Sequence, residues 1–261
     1  VQYGEDWSEF TEQGFRSLLK ALKQGGYRFA EYGEPAGERE VIWRHDVDVS
    51  IHRAAKLGAI EAEEGVRSTY FINPRSIFYS LAEPQIVRLV RGLAEAGHAL
   101  GLHFDAEAYA TVQWSEDQLE AAVAAERRLM ELTIGAPIAS MSWHNPGFSN
   151  LLDFGGETVA GLVNAYSESY RANYVYCSDS NGYWRFTPMG EVIAKGHSRL
   201  HLLTHPEWWT PEPMTPSQRI DRAVNGRTQA LAGVRPDLPR PAGYDKVMDA
   251  SLTRANPSPV S

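Results

Sequence analysis

The segment Arg44-His45-Asp46-Val47-Asp48 places two carboxylates two positions apart where an apolar run, Val41 to Trp43, comes to its end. In an extended strand, side chains two apart share a face, so Asp46 and Asp48 point the same way with Arg44 behind them. Two carboxylates this close repel one another unless a proton or a cation stands between them. One of them can therefore bind a metal while the other, held by Arg44, stays ionised as a base. The competing reading is a loop in which Asp48 or Ser50 caps the helix that follows. Three histidines extend the set, because His103, His144 and His205 each close a separate apolar run. A single strand-end histidine is more often structural, but three at the same end of successive strands argue for one shared site. Neutral imidazole plus carboxylate is the usual ligand set of a catalytic zinc that keeps a position open for water. Cys177 is the only cysteine, so neither a thiolate zinc site nor an intrachain disulfide can form.

The remaining polar candidates carry less. His45 and His98 fall on the faces opposite Asp46 and His103, and they read as structural, as do His52, His197 and His201. Asp179 lies in Ser178-Asp179-Ser180-Asn181-Gly182, a run of turn formers. The aromatics after it, Tyr183 and Trp184, with Arg185, suit the floor of a substrate cleft. Trp208 and Trp209, just past His205, offer flat faces of the kind that meet sugar rings, although tryptophan pairs more often fill a core.

These residues need strands to hold them. After an N-terminal helix beginning near Ser8 and stopped by Gly25-Gly26, strand and helix patterns alternate. The strand Val41–Asp46 is followed by a helix from Ile51 to Glu64 entered at Ser50, and the strand Ser68–Ile72 by a helix opened by Pro84. His98–Phe104 is the next strand, and a helix with a Ser115/Gln118 capping box follows it. Further strands are expected near Ile138–Trp143, Asn173–Cys177 and Leu200–Thr204, with a weak helix near Glu157–Ala165 and a final helix from Ser217 to Ala232. Alternation of this kind implies right-handed βα units and a parallel sheet. Six or seven units favour an α/β fold that is a distorted (β/α) barrel of about seven strands, complete or incomplete. One domain over residues 1–235 is expected, with the Pro-rich stretch 236–261 as an arm or tail.

The 261 residues carry a net charge of −8, with 43% hydrophobic and 22% charged residues, as in ordinary soluble domains. No basic run exceeds two residues, which argues against a nucleic-acid groove or a polybasic membrane patch. No window of eighteen apolar residues exists and Val1–Asp6 is no signal peptide, so a cytoplasmic protein is expected. Nothing in the sequence speaks to oligomeric state.

Taken together, these residues resemble the motifs of the polysaccharide deacetylase family, metal-dependent hydrolases on a distorted (β/α) barrel, over roughly Val41 to Trp209. His45-Asp46-Val47-Asp48 is similar to the family's first motif, which implies Asp46 as catalytic base and Asp48 as metal ligand. Gly97 to His103 is similar to the approach to the second motif, which implies His103 as a ligand. Leu202-Leu203-Thr204-His205 is similar to the last motif, which implies that His205 protonates the leaving group. Two departures stand out. The family's second metal histidine falls on Glu107 here, so Glu107 competes with His144 for the third ligand position, and His144 is preferred. His144-Asn145-Pro146-Gly147 stands in place of an Arg-x-Pro motif, which leaves the tuning of the base to Arg44 or Arg185. By the same analogy a backbone N–H near Gly147 steadies an oxyanion. Arg44, Asp179, Trp184, Arg185 and Trp208 are expected, from their own chemistry, to bind substrate. The resemblance implies a divalent cation, zinc in the first instance, and N-deacetylation of an amino sugar. A small non-sugar amide or cyclic imide is the alternative substrate, and a sugar-binding protein without turnover is the alternative from another class.

Overall fold

In the computed structural model, which describes residues 7–110, 113–184 and 186–234, the strand bearing the two carboxylates lies near the middle of one sheet. The strands are β1 (Arg28–Phe29), β2 (Glu40–Val47), β3 (Thr69–Ile72), β4 (Ala99–Asp105), β5 (Ser140–His144), β6 (Thr158–Val159), β7 (Leu162–Asn164), β8 (Val175–Ser178) and β9 (Arg199–Thr204). Their order is β6-β7-β5-β4-β3-β2-β9-β8, with β1 paired to the start of β2. All pairings are parallel except that of β6 with β7. Seven parallel strands thus follow the circular order of a (β/α) barrel. β9 closes onto β2, and among the described residues no strand bridges β8 to the β6–β7 hairpin. The fold is a distorted, incomplete (β/α) barrel.

The sheet must curl, and one contact measures it. β2 and β5 are three strands apart, about 14 Å in a flat sheet at ~4.8 Å per strand. Ser142 Oγ on β5 nevertheless lies 3.5 Å from Asp46 Oδ1 on β2. Gly101 on β4 permits part of this closeness, since a Cβ there would fall 2.3 Å from the Phe71 ring and 3.1 Å from Ser140 Oγ. Ile42, Phe71, Tyr32 and Ala165 fill the lumen. The alternate residues of β2, Val41 and Trp43, pack outward with Phe15, Leu19, Leu22 and Leu57. Each such side chain removed from water stabilises the fold by roughly 1.5–3 kcal/mol.

The helices are α1 (Glu12–Gln24), α2 (Ile51–Glu63), α3 (Pro84–Glu95), α4 (Glu116–Ile134), α5 (Glu168–Asn173), α6 (Met189–Ala194) and α7 (Pro216–Val234). Local chemistry sets their ends. Ser50 Oγ accepts from Arg53 N at the start of α2, and Ser115 and Gln118 form a reciprocal capping box on α4. α1 starts later than expected, with Thr11 as its cap.

One expected element is corrected. Residues 157–165 form the β6–β7 hairpin and no helix, because Ala160 and Gly161 both take positive φ (49° and 71°) and turn the chain in two residues. The helix lies further on, in α5, so that β8 begins at Val175 and Asn173 belongs to α5. Among the described residues the chain forms one compact unit up to Ala223 and a second from Val224. The expected boundary at 235/236 and the tail 236–261 fall outside the described residues. No described helix is long and apolar enough to cross a membrane.

Candidate active site

The carboxyl ends of β2, β4, β5 and β9 converge on a few atoms. Asp48 Oδ1, just past β2, is 3.1 Å from His103 Nε2 on β4 and 3.2 Å from His144 Nδ1 on β5. The two ring nitrogens are themselves 3.2 Å apart. Asp48 Oδ1 is buried, and neither ring is aligned to donate to it, so it lacks a hydrogen-bond partner among the described residues. Burial alone would raise the Asp48 carboxyl, but the facing imidazoles of His103 and His144 hold it well below the usual carboxylate range. His144 is lifted in turn by Asp48, against the opposing effect of its burial.

Three lone-pair donors around one point are what a cation needs. Donors about 2.0–2.1 Å from a tetrahedral zinc lie about 3.3–3.4 Å from each other, close to the edges of this triangle. The orphaned oxygen and the mixed carboxylate–imidazole chemistry fit a divalent ion as well. His103 is oriented for the task, because its Nδ1 meets Ser142 Oγ at 2.7 Å, which turns Nε2 toward Asp48. An outer partner of this kind fixes the tautomer of a metal-binding imidazole.

Glu107, the competitor for the third position, is exposed and accepts from Asn145 Nδ2 at 2.8 Å. It groups with Asp105 and His144 in a second cluster and takes no part in the Asp48–His103–His144 triangle. Asn145 also approaches His144 Nε2 at 3.2 Å, and it holds an unusual left-handed φ of 42° at this bend.

Asp46, one turn of the pleat below Asp48, is buried. Arg44 Nη2 lies 3.3 Å from its Oδ2, and His103 Nε2 is 3.9 Å from the same oxygen. Arg44 is wholly buried, donates to Tyr166 OH at 3.1 Å and lies over the Tyr166 ring at 4.7 Å. Arg44, expected to touch substrate, has no open surface in this structure, and its guanidinium faces Asp46.

His205 follows β9 and turns Nε2 toward Asp48 Oδ2 at 3.8 Å. Its Nδ1 is 2.7 Å from Asp179 Oδ1, and its backbone N–H donates to both Asp179 oxygens. Trp209 Nε1 donates to Asp179 Oδ2 at 2.8 Å. Burial works to lower the His205 imidazole, but the hydrogen bond and charge of Asp179 lift it to about 10. Asp179, expected to touch substrate, lies fully buried behind His205 with both oxygens accepting hydrogen bonds.

Trp208, expected as a sugar platform, packs in the core cluster with Phe10 and Trp209 and is buried. Trp184 stacks on Phe10 at 4.7 Å and donates to Glu9. Arg185 lies outside the described residues. Gly147 sits in the short turn after His144, with open space where a Cβ would be.

Three neighbours lie outside the expected set of site residues. Ser142 shares the strand face of His144, two residues before it. Tyr166, two residues past β7, accepts from Arg44 across the sheet. Glu207 is buried with one unpartnered oxygen and pushed up to about 8, first by burial and then by the charge of Asp48.

No family model matches this chain, and no curated protein matches it. Among solved structures it is similar to the catalytic domain of a peptidoglycan N-acetylglucosamine deacetylase from Eubacterium rectale (15% identity, TM-score 0.45, covering 77% of this chain and 88% of that one). It is similar to a family 4 acetyl xylan esterase from Clostridium thermocellum in complex with a cobalt ion (14%, 0.44, 73% and 83%). It is also similar to a CE4-family pseudoenzyme from Bacillus anthracis (14%, 0.42, 76% and 63%). Likenesses of this size leave the chemistry to the side chains.

Proposed function

We propose that this protein is a metal-dependent hydrolase that removes an N-acetyl group, with an amino sugar or glycan intermediate as its substrate. The observation that carries the reading is the triangle of Asp48 Oδ1, His103 Nε2 and His144 Nδ1 beside a buried carboxylate, Asp46, and an imidazole, His205, whose Nε2 is turned toward Asp48. The motif resemblance over residues 41–209 supplies the acetamide.

Asp48, His103 and His144 would hold the cation, which when bound polarises the amide carbonyl and acidifies water. Asp46 takes the proton of the attacking water. Arg44 and Ser142 keep Asp46 in place, at 3.3 and 3.5 Å from its two oxygens. A backbone N–H near Gly147 steadies the oxyanion. His205 then donates to the departing amine, which leaves poorly as an anion and needs an acid partner. Asp179 fixes the His205 ring by its Nδ1 side, so that Nε2 faces the site.

The test is acetate release from a panel of N-acetylated sugars and nucleotide sugars, by wild type and by Asp46→Asn, each with its zinc content measured. The reading expects acetate from wild type alone while both proteins carry zinc. Full turnover by Asp46→Asn would remove Asp46 from the base role. No acetate from a zinc-loaded wild type on any member of the panel would count against deacetylation.

A further inference from the structure

The outer face of β2 carries a second carboxylate–imidazole–hydroxyl row, out of reach of any substrate. Glu61 on α2 is fully buried. Its Oε1 faces His45 Nε2 at 2.9 Å, and its Oε2 accepts from Ser68 Oγ and Tyr70 OH, each at 2.7 Å. His45 Nδ1 meets Thr204 Oγ1 at 2.8 Å, and Trp43 Nε1 donates to the same Thr204 oxygen at 3.0 Å. One arrangement satisfies every atom: the Trp43 indole donates to Thr204, the Thr204 hydroxyl to His45 Nδ1, and His45 Nε2–H to the Glu61 carboxylate. His45, Glu61 and Thr204 are each 0% exposed, so the row performs no chemistry of its own.

Its place in the sheet gives it another role. His45 and Thr204 are register partners, and they are the last pair of the β2–β9 ladder. The next residues on the two strands are Asp46 and His205. Past that pair no β2–β9 backbone rung sets how far His205 stands from Asp46 and Asp48. Asp179 holds the His205 ring and its backbone N–H, and the side-chain tie from α2 through His45 holds Thr204, the last residue of β9, against β2.

We infer that Glu61, His45 and Thr204 are positioning residues that set the spacing of His205 from Asp46 and Asp48. This rests on reading Asp46 and His205 as the proton-transfer pair. The three candidate metal ligands come from β2, β4 and β5, so loosening β9 displaces His205 and leaves the cation site as it was. A role in stability alone would not divide the effects in this way.

The experiment uses Thr204→Val, Thr204→Ser and Glu61→Gln in the full chain. Three readouts apply: cobalt affinity, the ring-nitrogen NMR signals of His205, and kcat against KM for acetate release with zinc. Thr204→Val is expected to shift the His205 signals and to lower kcat about 10- to 100-fold, the scale of a misplacement near 1 Å, with KM and cobalt affinity unchanged. Thr204→Ser keeps the hydroxyl and is expected to restore both signals and kcat, while Glu61→Gln follows Thr204→Val and decides the matter if that variant does not fold. Variants that melt lower yet keep wild-type His205 signals and kcat would overturn the inference. If the wild type releases no acetate, the proposed function fails, and the His205 signals still decide whether the row positions that ring.

Discussion

Asp46 and Asp48 differ by two positions and share a strand face, yet their surroundings assign them different work. Asp48 looks into two imidazoles and Asp46 is backed by a buried guanidinium. Replacing Asp46 by Asn is expected to lower turnover by about 10²–10⁴, the usual worth of a general base, with zinc content unchanged by elemental analysis. Loss of an outer partner of a metal ligand costs about 10- to 100-fold in affinity. Ser142→Ala is expected to fall in that range in a zinc titration and His144→Ala, which removes a candidate ligand, beyond it. Glu107→Ala should bind zinc as wild type does, and a large loss there would move the third ligand to Glu107. The paired carboxylates and strand-end histidines were legible because a period of two and an apolar run mark them. The burial of Arg44, Asp179 and Trp208 was not, since what closes over a side chain comes from strands far away in sequence.

Strands and their following helices were legible wherever an apolar run ended in a cap or a glycine, as at Ser50, Ser115 and Gly25. The sequence reading failed between β5 and β8. There Val159 and Leu162 mimic a helical spacing, and only the positive φ at Ala160 and Gly161 turns them into a hairpin. Gly101 carries a sharp requirement inside the sheet, because a Cβ would sit 2.3 Å from the ring of Phe71. Gly101→Ala is expected to destabilise the fold by about 1–3 kcal/mol, as overpacking does, measured by denaturant unfolding. It should weaken zinc binding as well, since β4 also carries His103. An alanine variant with wild-type stability would mean that the β3–β4 contact is looser than described.

On the scale of the whole barrel, the polar lumen makes stability depend on pH. His201 on β9 is buried against Tyr32 OH at 2.5 Å, and burial, with Arg44 second, holds its imidazole well below the usual value of 6.5. The folded protein keeps His201 neutral while the unfolded chain binds a proton below about pH 6.5. Unfolding therefore gains a proton there, and stability falls as pH drops from about 6.5, by up to ~1.4 kcal/mol per pH unit. His201→Gln is expected to flatten the melting temperature between pH 6.5 and 5, and an unchanged slope would show that His201 is not its source. The incomplete barrel also brings β2, β4, β5 and β9 to one point, and this convergence is the basis of the proposed chemistry. Acetate release from N-acetylated sugars, followed while zinc or cobalt is titrated into chelator-treated protein, tests that claim most directly. The expected result is no acetate without metal and a rate that rises to a plateau at one ion per chain. Acetate released equally by the metal-free protein, or none at saturating metal, would contradict it.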